Sequence, residues 1–213
     1  VLTRGDIGLA ESYLDGHWHS PDVAALLTVL ARNRDTLTHV LFGRWHALLL
    51  ARLRHWRNAN TRRGSRRNIM AHYDLGNAFY TRWLDSSMTY SSALFEHPAA
   101  SLEEAQAAKY RRILNRLRAQ PDEHVLEIGC GWGGFAEMAV EQGQRLTGLT
   151  LSPAQLEFAR QRVPQADLRL QDYRDVRGIF DHIVSIEMIE AVGERWWPTY
   201  FSTLARALKP TGK

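Results

Sequence analysis

A carboxylate and three glycines stand close together in the run Val125-Leu-Glu-Ile-Gly-Cys-Gly-Trp-Gly-Gly-Phe135. Their spacing suits a small charged ligand. A short apolar run reads as a buried strand. Gly129, Gly131 and Gly133 allow a sharp turn and put no side chain between backbone and ligand. A helix from about residue 134 to 142 then aims its free N–H groups at the gap. Glu127 decides which ligand. A pyrophosphate would be repelled by a carboxylate at this turn, whereas an ammonium group would be held. A nucleoside joined to a cationic amino acid meets both demands, and S-adenosylmethionine is such a molecule. Cys130, the only cysteine, lies inside the turn and reads as a small buried packing residue.

The elements that must carry this turn alternate. Strands are expected at 124–129, 146–151, 168–172 and 182–188, and helices at 134–142, 153–162 and 194–208. This order implies an α/β fold: a parallel, Rossmann-like sheet with right-handed crossovers. The chain stops at Leu208-Lys-Pro-Thr-Gly-Lys213, where a fifth strand would begin. A four-strand sheet would expose an apolar edge, so a C-terminal part of the domain is expected to be missing. Upstream, a helix is expected over 101–118, capped by Ser101 with Glu103 and Glu104 in its first turn. The segments 71–80 and 83–95 are dense in aromatic and hydroxyl side chains, a composition that can wrap a ligand.

Charge is unevenly spread. The net charge is +4, yet no acid occurs between Asp35 and Asp74, an interval holding eight arginines. The rest of the chain is therefore net acidic. Residues 38–57 read as an amphipathic helix with Leu41, Trp45, Leu48, Leu49 and Trp56 on one face. Such a basic helix suits an anionic membrane surface or packing on its own domain. Residues 58–67 read as a basic linker. Residues 1–35 read as helical around a loop at 16–21, with Trp18 packed and His17 and His19 exposed. Domains are thus expected at 1–67, helical, basic and lipid-contacting, and at 68–213, catalytic and C-terminally incomplete. No stretch suits a membrane span or a signal peptide, and a single cysteine suits a reducing compartment. The expected location is cytoplasmic, on the inner face of the membrane.

Five segments recur in order: His72-Tyr-Asp-Leu-Gly-Asn-Ala-Phe-Tyr80, Thr89-Tyr-Ser-Ser-Ala-Leu-Phe95, Leu126-Glu-Ile-Gly-Cys-Gly-Trp-Gly133, Gly148-Leu-Thr-Leu-Ser-Pro-Ala-Gln155 and Ile183-Val-Ser-Ile-Glu-Met-Ile-Glu190. Together they resemble the cyclopropane-fatty-acyl-phospholipid synthases and the related mycolic acid methyltransferases. The resemblance is strong over residues 68–213. It implies an S-adenosylmethionine-dependent enzyme that transfers a methyl group to a cis double bond of an acyl chain. It further implies that Gly129, Gly131 and Gly133 line the methionine part of the cofactor. Tyr73, Tyr90 and Ser91 would hold its carboxylate and amino end. Thr150, Leu151 and Gln155 would contact ribose and adenine, with Gln155 supplying the polar contact because no acid ends the second strand. Tyr173 would pack on the adenine beside Asp172. Ile186 and Glu190 match the strand-end segment of the acyl pocket. Unsaturated phospholipids would be the substrates, and the resemblance admits a homodimer.

The family also uses a bound bicarbonate ion as base, held by a cysteine, a glutamate, a histidine and a tyrosine. Glu190 matches the glutamate. Ser92 stands at the cysteine position and can offer its hydroxyl and backbone N–H. The residue after Glu190 is Ala191, where many members carry histidine. Ser92 and Glu190 are therefore the candidate catalytic residues, and no metal site is expected. A neighbouring outcome is a methylated or methylenated chain formed from the same cation. A nucleic-acid methyltransferase using the basic arm is the alternative class. Against it, Ile-Glu-Met-Ile-Glu stands after the fourth strand in place of Asn/Asp-Pro-Pro-Tyr, so no nucleic acid is expected as partner.

Overall fold

A computed structural model describes residues 5–34, 64 and 76–213. The chain divides into two compact units, Val1–Ala59 and Asn60–Lys213. In the first, α1 (Gly5–Leu14) and α2 (Val23–Arg32) flank a short loop. Asp22 caps α2 by accepting from the Ala25 N–H at 2.8 Å, which meets one of the four unpaired donors of that helix start. Trp18 is packed: its indole N–H donates to Ser12 Oγ at 3.0 Å, and its ring lies 4.8 Å from that of Tyr13. His17 and His19 are exposed. The amphipathic stretch 38–57 lies outside the described residues, as does the linker 58–67 except Gly64.

The second unit carries α3 (Asn77–Tyr80), α4 (Leu102–Leu117), β1 (His124–Ile128), α5 (Gly134–Glu141), β2 (Arg145–Thr150), α6 (Pro153–Arg162), β3 (Asp167–Leu170), β4 (His182–Val184), α7 (Ile189–Val192) and α8 (Trp197–Ala207). The four strands form one parallel sheet in the order β3-β2-β1-β4. Covered faces explain the apolar strand sequences. Val125 faces a core with Tyr110, Leu114, Phe135, Ala139 and Ala159 from α4, α5 and α6. Leu126 and Ile128 face the opposite core with Tyr173, Val176, Tyr200 and Ala207. The result is a three-layer α/β arrangement.

Among the described residues the expected strands and helices are present, with one substantial shift. The fourth strand ends at Val184 rather than 188. Glu187 has a left-handed φ of 47°, which no ladder accommodates, and α7 begins two residues later. The last helix starts at Trp197, after a single 3₁₀ turn over Glu194–Trp196. The outer edge of β4 is met in part by the chain's last residue, where the Ile183 N–H donates to the Lys213 carbonyl at 2.8 Å.

Local chemistry fixes the ends that matter. Ser101 and Glu104 form a reciprocal capping box on α4, with Ser101 Oγ accepting from the Glu104 N–H and the Glu104 carboxylate accepting from the Ser101 N–H. Gly148 on β2 cannot carry a side chain, since a Cβ there would lie 2.6 Å from Leu168 Cδ2 and 3.1 Å from Cys130 Cβ. The small Cys130 thus packs the turn against β2, as expected of it. Burial raises its thiol well above the ordinary range, which leaves it unreactive. Replacing Ser101 by Ala should lower stability by about 1 kcal/mol, read as a lower urea midpoint at unchanged slope.

Candidate functional site

In a parallel sheet every strand ends at the same edge, so four loops meet there. The order β3-β2-β1-β4 places the reversal of strand order beside β1, and ligands of such sheets bind outside the strand ends at that crevice. The loop after β1 is the glycine turn. Gly129, Gly131 and Gly133 have φ of 87°, 52° and 84°, conformations that side-chain-bearing residues rarely adopt. A Cβ on Gly133 would press on Ala159 Cβ at 3.2 Å, whereas a Cβ on Gly131 would meet nothing within 4 Å. Gly133 is therefore required by packing, and Gly131 borders open space. The start of α5 has no side-chain cap, so its first N–H groups stay free of side-chain acceptors.

Glu127 lies in β1 two residues before Gly129, 4% exposed, and its Oε2 has no hydrogen-bond partner among the described residues. Burial pushes its carboxyl up to about 8. Such a group is costly in the empty protein and is relieved by a cationic partner. The residues present fit S-adenosylmethionine on this ground: an orphaned carboxyl for an ammonium group, a side-chain-free turn and an open helix start.

The other expected residues are distributed as follows. Thr150 and Gln155 are both buried, and the Thr150 hydroxyl donates to Gln155 Oε1 at 2.9 Å, which fixes the amide at the end of β2. Leu151 is half-buried beside them. Asp172 caps the 3₁₀ turn after β3 and receives Arg174 at 2.6–2.8 Å. The Tyr173 ring is buried in the core, edge-on to Tyr200 with centroids 5.2 Å apart. Ile186 packs against the core under α4. Tyr73 lies outside the described residues. Tyr90 joins an aromatic group with Tyr80 and Trp83, at centroid distances of 5.6 and 5.5 Å. Tyr80 in turn packs at a tilt against Trp132 of the turn, centroids 5.1 Å apart, and the Trp132 indole donates to Asn77 Oδ1 at 2.8 Å. The segment around α3 is thereby clamped over the glycine loop.

Ser91 and Ser92 meet groups that the sequence did not single out. Ser92 donates through its backbone N–H, at 2.8 Å, and through its hydroxyl to one oxygen, Oε1, of Glu187. Lys109 on α4 donates to Ser91 Oγ, to the Ser92 carbonyl at 2.9 Å and to Gln106 Oε1 at 2.6 Å. Gln106 donates to the Ser91 carbonyl at 2.8 Å. Burial lowers the Lys109 ammonium to about 8, against the pull of Glu187 and Asp85. Burial also opposes ionisation of Glu187, but the two Ser92 bonds and the Lys109 charge outweigh it and hold that carboxyl below its ordinary value. Ser92 is thus joined to Glu187. Glu190, three residues on, is exposed on α7 and makes no hydrogen bond or ion pair among the described residues. The legible signal was on α4, where Gln106 and Lys109 interrupt the inward stripe of Ala105, Tyr110 and Leu117. Among the described residues, no group of three or more His, Cys, Asp or Glu could hold a metal ion.

This fold and this crevice define a Rossmann-like α/β protein with a nucleoside-type site at its strand ends. The chain belongs to the mycolic acid cyclopropane synthetase family, whose model matches residues 60–213. It is 41% identical, over 98% of its length, to the tuberculostearic acid methyltransferase of Mycobacterium tuberculosis, covering 52% of that protein. It is 39% identical over 100% of its length to the cyclopropane-fatty-acyl-phospholipid synthase of Escherichia coli, covering 56% of it. A crystal structure of the mycolic acid cyclopropane synthase CmaA1 complexed with SAH and CTAB superposes with a TM-score of 0.66 at 36% identity, covering 68% of this chain and 53% of that one. The chain therefore spans about half the length of the relatives it matches.

Glu127 makes a pH prediction. Its folded value, about 8, lies above its ordinary 4.5, so the folded state binds the proton more tightly. The stability this confers is complete below pH 4.5 and is lost as pH rises through 8. Thermal melts of the ligand-free protein from pH 4.5 to 8 should show that decline, and Glu127→Gln should flatten it. An unchanged slope in the variant would assign the decline to another group.

Proposed function

We propose that this protein binds S-adenosylmethionine and transfers its methyl group to a cis double bond of an unsaturated phospholipid acyl chain, closing a cyclopropane ring. The observation that carries the reading is the orphaned Glu127 carboxyl beneath a side-chain-free turn, in a chain of this family. When bound, the cofactor supplies a methyl group on a positive sulfur, electrophilic enough for an isolated alkene.

The chain's residues do the rest. Glu127 holds the ammonium end, and Gly129, Gly131 and Gly133 let the methionine part lie against the backbone. Tyr73, Tyr90 and Ser91 lie on the segments assigned to its carboxylate and amino end. Thr150, Leu151 and Gln155 border the ribose and adenine, with Asp172 and Tyr173 at the third strand end. Ile186 and Glu190 belong to the acyl side. The aromatic group Phe79, Trp83 and Tyr90, partly exposed beside the turn, offers an apolar surface that excludes water from the reacting alkene. No helix among the described residues is long and apolar enough to cross a membrane. In this reading the substrate is reached from the membrane surface, where the basic interval 36–73 suits anionic headgroups and a peripheral position on the cytoplasmic side. A methyl-branched or methylenated chain is the second product reading, favoured by the 41% identity to a tuberculostearic acid methyltransferase.

The full-length protein, incubated with methyl-labelled S-adenosylmethionine and vesicles of unsaturated phospholipid, should label the lipid and add one methylene per acyl chain. Upfield ring protons in the lipid spectrum identify the cyclopropane, and exocyclic methylene protons identify the second product. Gly131→Val should abolish cofactor binding by calorimetry, since its side chain would enter the open crevice at a strained φ. Unchanged affinity would remove the turn from the site. Vesicle binding should weaken steeply with salt and on changing Arg62, Arg63, Arg66 and Arg67 to Gln, as each surface arginine contributes about 1 kcal/mol. Equal binding to neutral and anionic vesicles would refute the membrane role of this segment.

A further inference from the structure

We infer that Glu187 is the built-in base of this site and takes the place of an exogenous bicarbonate ion; the inference rests on the acyl methyl-transfer reading above. Three observations carry it. The first is that both donors Ser92 could offer an anion, its N–H and its hydroxyl, already converge on Glu187 Oε1. A bicarbonate at that point would find no free Ser92 donor and would face a like charge at hydrogen-bond range. The residues present therefore do not fit a bound bicarbonate.

The second observation is conformational. Glu187 holds a φ of 47° with a full side chain. Backbone strain of this kind persists where the surroundings over-determine it, and it clusters at functional sites. Here it ends β4 early and turns the carboxylate toward Ser92, at the mouth of the crevice between β1 and β4. The next residue, Met188, has its Sδ 3.6 Å from where a Gly129 Cβ would stand, so the segment lies against the cofactor turn itself.

The third is the support behind the pair. Lys109 and Gln106 grip both Ser91 and Ser92 from α4. They fix the direction of the Ser92 donors and place a positive charge behind a carboxylate that must stay ionised. Lys109 is in this sense a positioning residue. Glu187 Oε2 makes no hydrogen bond among the described residues, which leaves it available to a substrate proton.

The step balances. The alkene's π pair forms the new bond to the methyl carbon as the sulfur–carbon bond breaks, and a cation is left on the neighbouring chain carbon. The Glu187 carboxylate takes a proton from the added methyl group, and the released C–H pair closes the ring. Loss of a proton from a chain carbon instead leaves an alkene. Either way the carboxylate becomes a carboxylic acid, which returns its proton to water.

The test uses the full-length protein. With S-adenosylhomocysteine bound, titration with ¹³C-bicarbonate followed by its carbon resonance should show no binding to the parent. Glu187→Gly, which also suits the left-handed φ, should open the anion site and bind bicarbonate at millimolar concentration. Binding to the parent, or none to Glu187→Gly, overturns the inference without reference to activity. In the labelling assay, Glu187→Gln should lower turnover at least 100-fold with cofactor affinity unchanged. The parent's rate should be the same in carbonate-free buffer. A parent that labels lipid only when bicarbonate is added keeps the acyl methyl-transfer reading and removes Glu187 as base. A parent that binds no bicarbonate yet labels no lipid removes the methyl-transfer reading instead.

Discussion

The parallel pairing of β1 with β2 on one side and β4 on the other underlies everything else in the second unit. Because the strands run the same way, the segments after Ile128, Thr150, Leu170 and Val184 emerge at one edge. Residues far apart in the chain are thereby gathered around a single crevice. The pairing also demands cover on both faces, which α4, α5 and α6 supply on one side and α8 on the other. The site thus inherits its rigidity from two cores at once. A functional group on any of these loops is anchored at a strand end that cannot shift without breaking ladder hydrogen bonds.

Within that frame the glycine turn converts sheet geometry into a binding surface. Gly133 and Gly148 serve packing, since a Cβ at either would collide with α6 or with β3 and Cys130. Gly131 serves the crevice, since its missing side chain borders open space. The same turn leaves the α5 start uncapped and Glu127 unpaired beneath it. The local rules for a stable structure are broken together at one place, and a positively charged, nucleoside-like ligand would restore all of them. A costly buried carboxyl and a permissive backbone coincide for that reason.

A second polar centre stands at the crevice mouth. Ser92, Glu187, Lys109 and Gln106 come from the aromatic segment, the β4 loop and α4. None is close in sequence to the others except through the helix spacing of Gln106 and Lys109. Their assembly couples the segment over the glycine turn to the strand that flanks it.

The sequence by itself determined the alternation of strands and helices, the glycine turn, the capped start of α4 and the family. Each of these depends on local chemistry: apolar runs, φ > 0 at glycine, Ser and Glu at helix starts. It also located Glu127, because an acid in a buried strand is anomalous wherever the strand lies. It misplaced the end of β4, since the left-handed Glu187 has no local signature and is held by a bond to a residue 95 positions away. By correspondence with relatives it named Ser92 and Glu190 as catalytic candidates, and the fold adds a bond from Ser92 to Glu187. The ring of Tyr173, expected on the adenine, packs edge-on to Tyr200 after the third strand. Only tertiary structure decides such pairings, because they depend on which strand neighbours which and on how far each loop reaches.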